Sequence, residues 1–351
     1  MSGHDATQEL VDRVQHATAQ RMPLRIVGGD TKRFLGRQVA DDVLHMTGHA
    51  GIVSYDPAEL VITARAGTRL ADVEAELAAN GQRLPFEPPS FGEAATIGGT
   101  VACGLSGPAR ASSGPLRDYV LGVRVLAGDG RVLRFGGEVM KNVAGYDVAR
   151  TMAGAFGTLG VLLDVSLKVL PLPPATRTLS LPLDASQALA TLERYAGTAL
   201  PLTASCWTAG SLSLRFEGSE RTLDDVQRRV GGTVVQDATN FWRSIREQTH
   251  RFFNGPGALW RLHLPASAPA SPQGETLIEW NGTQRWHVLG SGSMFDVAAA
   301  AGGHATLFRP TGPAGHVFTR PAEPLLRLHA SLKKVFDPAG ILNPGRMYPD
   351  F

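Results

Sequence analysis

Three glycine-rich loops, each attached to a short apolar strand, constrain this chain more than any other feature: Gly28-Gly29-Asp30-Thr31, Thr96-Ile97-Gly98-Gly99 and Gly157-Thr158-Leu159-Gly160. Glycine loses the most conformational freedom on ordering, so such runs persist where something must approach the backbone closely. The second loop opens the stretch "ATIGGTVACGLSGPARASSGPLRDYVLGVRVL", which passes through small and turn-forming residues into a strand. Consecutive amides in such turns form concave anion sites. Hydrogen bonds to a charged group contribute roughly 1.5–3 kcal/mol each, so a few amides hold a pyrophosphate without a lysine. A tight turn is the ordinary role of one glycine loop. Three of them, separated by strands, point to a phosphate or a flat cofactor.

Other phosphate and hydrolase signatures are absent. The nearest approach to the dinucleotide fingerprint is GxxGxxG, from Gly154 to Gly160, not the required G-x-G-x-x-G. No Gly-Lys dipeptide supports a P-loop, and "GLSG" at 104–107 lacks the spacing of a nucleophile elbow. The formal net charge is +2 and the basic residues are scattered, which gives no case for nucleic acid. The two cysteines, Cys103 and Cys206, are far apart. An iron–sulfur cluster needs about four such ligands, so this chain cannot build one alone. The N-terminal residues are polar with no apolar signal region, and no run of about 18 apolar residues predicts a membrane span, so the expected location is cytoplasmic.

The apolar periodicity predicts the elements around the loops. Leu10, Val14 and Ala17 repeat at helical spacing, and Leu24 to Val27 form a strand entering the first loop. "ELVITARAGTRLADVEAELAANGQRLP" reads as strand, turn and helix. Thr68 is the expected cap, Leu70, Val73 and Leu77 the buried stripe, and Gly81 the end. "YVLGVRVLAGDGRVLRF" reads as a hairpin about Gly128-Asp129-Gly130. A strand from Val161 to Leu170 then meets Pro171, Pro173 and Pro174, the first domain boundary. The segment 175–310 alternates strands and helices. Leu325, Leu328, Leu332 and Val335 make a helical stripe that Asp337-Pro338 stops.

The combination "RIVGGDTK", "ATIGGTVA", "RDYVLGVRVLAGDGRVLRFGGEVMKNVAGYDVARTMAGAFGTLGVLLDVSLKVLP" and "FDPAGILNPGRMY" resembles FAD-binding flavoproteins of the vanillyl-alcohol oxidase and p-cresol methylhydroxylase (PCMH) type. The likeness covers roughly 20–172 and the last twenty residues. In detail "KNVAGYDVARTMAGAFGTLG" and the short chain are similar to the E-type FAD-binding subunits of bacterial glycolate oxidases. The resemblance implies an α+β fold: a two-subdomain PCMH-type FAD-binding domain at 1–172, an α+β cap, substrate or interface domain at 173–310, and a C-terminal segment, 311–351, returning to the FAD domain.

Carried over by position, Val27, Gly28, Gly29, Asp30, Thr31 and Lys32 would wrap the FAD phosphates. Thr96, Ile97, Gly98, Gly99, Cys103 and Gly107 would line the pyrophosphate, ribityl and ring region. Gly160 and Val161 would meet the adenine side by backbone, and Pro88 would sit near the flavin. Some relatives attach flavin through a histidine near the first loop. Here the next histidine is His45, so non-covalent FAD is expected. Asp30 sets a carboxylate beside the expected pyrophosphate, repulsive unless it turns away or binds Thr31 or Lys32.

The H-x-G-D-G-N-x-H type run of related catalytic dehydrogenases is missing. His304 in "GGHATLF" is the nearest candidate base, although a lone histidine is more often a surface or core residue. Arg309 could grip a carboxylate or simply pair at the surface. Lys141, in a loop with Tyr146, could steady charge on a reduced ring or stand in solvent. Trp242, Trp260, Trp280 and Trp286 read as core. No metal site is expected.

The resemblance implies an FAD subunit supporting oxidation of glycolate, or a similar 2-hydroxy acid, to glyoxylate or the 2-oxo acid. Its implied partners are a larger FAD-linked subunit and an iron–sulfur subunit, in a complex that touches the inner membrane face to reach quinone. Two alternatives stay open: a self-sufficient FAD-dependent oxidoreductase, and a structural subunit that has lost flavin function.

Overall fold

The computed structural model describes residues 3–39, 42–137, 147–270, 274–312 and 314–350. They form two compact units. The first comprises Met1–Leu105, Pro115–Pro171 and Arg320–Phe351, and the second Ser106–Gly114 and Leu172–Thr319. Residues 106–114, read from sequence as part of the FAD domain, belong to the second unit, and the C-terminal return begins at Arg320.

Among the described residues the first unit holds three sheets, the smallest the antiparallel pairing of Gln82–Arg83 with Leu170–Pro171. Arg25–Val27 pairs in parallel with Val43–His45. A five-stranded antiparallel sheet runs in the order Ile52–Asp56, Val61–Arg65, Val161–Lys168, Val120–Leu126, Val132–Gly136. The hairpin about Gly128-Asp129-Gly130 supplies its last two strands, in the register Gly122↔Gly136 to Leu126↔Val132. Helix Thr7–Gln20 buries Leu10, Val14 and Ala17, and helix Leu70–Ala79 buries Leu70, Val73 and Leu77. These stripes close one core with Val123, Val125, Leu163 and Val165 from the central strands. Thr68 does not cap its helix. The N-cap is Arg69, and the Thr68 hydroxyl instead bonds the Gly51 amide and the Gly51 and Arg65 carbonyls, tying two loops together.

The C-terminal helix Glu323–Phe336 forms where expected but turns the other way. It buries Leu326, Lys333 and Phe336; of the expected stripe, Leu332 is half-buried against the core, while Leu325, Leu328 and Val335 are 52%, 54% and 64% exposed. Spacing alone identified a stripe and not the side that packs. Beyond the helix, Asp337 is buried and receives the amides of Ile341 and Leu342.

The second unit is built on one antiparallel sheet of eight strands. Their order is Thr233–Val234, Ala175–Pro182, Ser211–Gly218, Leu202–Thr208, Glu275–Glu279, Gln284–Leu289, Ala258–His263, His304–Arg309. Two apolar clusters line it, one packed with helices Ala185–Tyr195 and Glu220–Val230, the other with helix Phe295–Ala300. The four tryptophans singled out from sequence are buried here. Among the described residues no helix is long and apolar enough to cross a membrane.

Candidate cofactor site

The first unit contains two adjoining hollows that share Ile26, Gly28, Thr96, Gly99, Phe156 and Asn343. The first strand delivers the chain into the 28–31 turn at one end, and the turn at Gly157 and Gly160 borders the other.

The 28–31 turn is an open row of donors. Among the described residues, no backbone acceptor takes the amides of Gly28, Gly29, Asp30 or Thr31. Asp30 has a positive φ of 55°, the left-handed conformation that turns neighbouring amides toward one point. A row of unpaired donors in such a turn fits an anion. The Asp30 carboxylate binds neither Thr31 nor Lys32. It pairs with Arg25 at 3.2 Å and faces Arg33 at 3.8 Å. Arg25, Lys32, Arg33 and Arg346 all line the same hollow, so four cations oppose one carboxylate. Lys32 is buried and donates to the Ser90 carbonyl at 3.1 Å.

The second loop makes the N-terminus of the helix Ile97–Cys103, capped by Thr96, whose hydroxyl accepts from the Gly99 amide at 3.2 Å. The glycines divide their labour. A methyl group on Gly28 would strike the Thr96 hydroxyl, and one on Gly29 the Ala94 carbonyl. A methyl on Gly98 would come within 2.8 Å of the Ala66 carbonyl. Their bareness lets protein segments meet. At Gly99 a methyl would meet only Thr96 Oγ1, at 3.2 Å, and this glycine lines both hollows. Cys103, at the helix end, also lines the first hollow. Burial pushes its thiol up, with Lys32 and Arg346 opposing.

The structure thus gathers Val27, Gly28, Gly29, Asp30, Thr31, Lys32, Thr96, Gly99 and Cys103 around one hollow, and Gly98 and Gly160 around its neighbour. Ile97 and Val161 are fully buried in the core. Pro88 is buried in the loop after the short strand Gln82–Arg83, away from both linings. Gly107 belongs to the second unit, where its carbonyl accepts from Trp280 Nε1 at 3.0 Å. Lys141 and Tyr146 lie outside the described residues. His304 is exposed in the second unit and stacks on His263, and Arg309 donates to Gln248 Oε1 at 2.9 Å.

Sequence reasoning missed Asn343 and Arg346. Asn343 accepts the Ile26 amide at 2.9 Å and donates to the Phe156 carbonyl at 2.6 Å, bridging the first strand and the third loop. Arg346 donates to the carbonyls of Leu35, at 2.6 Å, and Arg37, at 2.9 Å. Their signal was the "NPGR" run at 343–346, quoted for its resemblance and given no site role. A further hollow also reaches Thr96; Asp72 and Glu76 outnumber Arg69 in its lining, the wrong balance for a phosphate.

The family model described as "FAD binding domain" matches residues 5–136. The glycolate oxidase subunit GlcE of Escherichia coli (strain K12) is 46% identical over 99% of this chain and 98% of its own length. The glycolate oxidase subunit GlcD of Bacillus subtilis (strain 168) is 34% identical over 36% of this chain and 27% of its own. Among solved structures, an alkyldihydroxyacetonephosphate synthase superposes with a TM-score of 0.68 at 16% identity, covering 97% of this chain and 76% of that one. That likeness shows the fold, an α+β PCMH-type FAD-binding architecture with a cap domain. The full-length identity carries the rest: this chain belongs to the family of the glycolate oxidase subunit GlcE, FAD-dependent oxidoreductases.

Proposed function

We propose that the chain is the FAD-binding subunit of a glycolate oxidase complex that oxidises glycolate, or a similar 2-hydroxy acid, to the 2-oxo acid. The observation that carries this reading is the open row of amides at Gly28, Gly29, Asp30 and Thr31, set among four cations and continuous with the hollow along Gly99. FAD held there would supply a hydride acceptor for the α-carbon of the acid and an outlet for the electrons.

The chain's own residues bind and orient. The amides of Gly28, Gly29, Asp30 and Thr31 would hold the pyrophosphate. Lys32, Arg33 and Arg346 offset the phosphate charge, and the Arg25–Asp30 pair keeps the carboxylate turned aside. Gly99 and Cys103 leave room for the ribityl and ring portion, and Gly157 and Gly160 border the adenine side. The first loop holds no histidine and His45 is exposed, which supports dissociable FAD. Two cysteines cannot ligate a cluster, so electrons leave through an iron–sulfur partner, alongside a larger FAD-linked subunit. Any membrane association is then made by that complex.

The test is an absorbance spectrum of the purified chain, before and after anaerobic glycolate. A flavin spectrum that persists until the partner subunits are added supports the proposal. Bleaching by the chain alone would replace it with a self-sufficient oxidoreductase. No flavin after FAD addition, with the chain alone or in the complex, would sink it.

A further inference from the structure

The chain's last turn closes the hollows of the first unit. Asn343 is 4% exposed and lines both of them. Its φ of 43° is left-handed, a conformation that asparagine takes more readily than most residues. The side chain stands between two backbones. Its Oδ1 accepts the Ile26 amide at 2.9 Å, and its Nδ2 donates to the Phe156 carbonyl at 2.6 Å. These partners fix the amide's orientation, since an N–H faces the oxygen and a carbonyl faces the nitrogen. Ile26 and Phe156 also line both hollows, so one side chain sets the span between two of their walls. The backbone follows the same line. The Leu24 amide donates to the Ile341 carbonyl at 2.7 Å, and the Asn343 amide to the Leu24 carbonyl at 2.9 Å.

The same turn grips the first glycine loop from its far side. Arg346 donates to the carbonyls of Leu35 and Arg37, and the Arg37 amide donates to the Arg346 carbonyl at 2.9 Å. The loop is therefore pinned just before it, at Ile26, and just after it, at Leu35 and Arg37. Phe156 in turn donates its amide to the Ala102 carbonyl at 2.8 Å, in the helix that carries Gly99. Asn343 thus joins the strand entering the first loop to the residue before the third, and that residue holds the helix of the second. Gly157 leaves room for the contact, because a methyl group there would come within 2.8 Å of Asn343 Nδ2. Donors aimed at a ligand contribute most when they are held in place before it arrives.

We propose that Asn343 is a positioning residue for the cofactor, and that FAD binding is coupled to docking of the C-terminal turn at 341–346. The inference rests on the FAD reading. Asn343 acts through Ile26 and Phe156: it holds the open amide row and the third loop at a fixed separation. Coupling of this kind is reciprocal, so a docked turn that favours FAD is itself held more firmly once FAD is bound.

The test is titration of the flavin-free full chain with FAD, read by flavin fluorescence, in wild type, Asn343→Gly and Leu326→Ala, with urea unfolding of each flavin-free chain. Glycine keeps the left-handed backbone and removes both side-chain bonds. Leu326→Ala loosens the same C-terminal stretch away from both hollows. The expected result is FAD binding weakened at least about fivefold in Asn343→Gly, the low end of an ordinary coupling. Leu326→Ala leaves the affinity unchanged, whatever stability it loses. Hydrogen exchange in the wild type needs no variant and decides the matter if Asn343→Gly does not fold: FAD should slow the amides of Leu24, Ile26 and Asn343, which lie outside the 28–31 row. Unchanged affinity in Asn343→Gly, an equal fall in Leu326→Ala, or no slowing at those amides overturns the inference and leaves the FAD reading standing. A wild-type chain that takes up no FAD, alone or in the complex, removes both.

Discussion

Lys333 Nζ lies 2.6 Å from Asp337 Oδ2, and both side chains are buried. The ammonium also donates to the carbonyls of Thr158 at 2.8 Å and Leu342 at 2.6 Å. One cation thus joins the end of the C-terminal helix, the third glycine loop and the chain's last turn. Breaking a buried pair by removing one partner costs about 3–5 kcal/mol, because the other charge is stranded. Asp337→Ala should lose stability of that order in urea unfolding. A loss under about 1 kcal/mol would mean that water replaces the pair.

Gly98 and Gly99 are adjacent in sequence and should fail differently. Gly98→Ala forces a methyl group to 2.8 Å from the Ala66 carbonyl, and the folded chain should lose stability. Gly99→Ala meets only the Thr96 hydroxyl and should fold normally, whereas Gly99→Asp adds bulk and a charge in the hollow and should abolish flavin retention. Thermal melts and flavin absorbance separate the two effects. Unchanged flavin content in Gly99→Asp would overturn the cofactor placement.

Asp30 pairs with Arg25 at 3.2 Å at the rim of the hollow. Asn tolerates the left-handed backbone at this position, so Asp30→Asn should fold. It removes a negative charge beside the expected pyrophosphate and frees Arg25. FAD should bind a few-fold tighter, with the gain shrinking as salt is raised. Weaker binding at low salt would show that the carboxylate serves the site.

His263 should make the second unit acid-sensitive. Its value falls from 6.5 to about 2 on folding, through burial first and then Arg261, His304 and Arg110. Between those values the unfolded chain takes up a proton that the folded chain refuses. Stability is therefore full above pH 6.5 and declines as pH falls toward 2. His263→Gln should flatten the fall in melting temperature between pH 7 and 5, whatever its effect at pH 7. An identical slope in the variant would refute the assignment.

The C-terminal helix offers an internal control. Leu328→Gln, on the 54% exposed side, should change stability by under about 0.5 kcal/mol. Leu326→Ala, two residues earlier in the same helix but buried, should cost about 2–5 kcal/mol. Equal effects in chemical unfolding would reverse the assigned faces.

Much of this protein is legible in its sequence. The stripes of Leu10, Val14, Ala17 and of Leu70, Val73, Leu77, the hairpin about Gly128-Asp129-Gly130, and the three glycine loops are local patterns. Helix and strand periods and turn chemistry act over a few residues, so sequence alone determines them. Which face of the helix Glu323–Phe336 is buried was decided by packing, because Leu326, Lys333 and Phe336 had a place to go and the Leu325–Leu328–Val335 side did not. The partner of Asp30, the bridge made by Asn343, and the grouping of Arg110 with Arg261, Trp280 and His263 join residues far apart in the chain. Such contacts follow from the strand order and chain return of each unit. Residue spacing carries no information about them, and only the tertiary structure decides them.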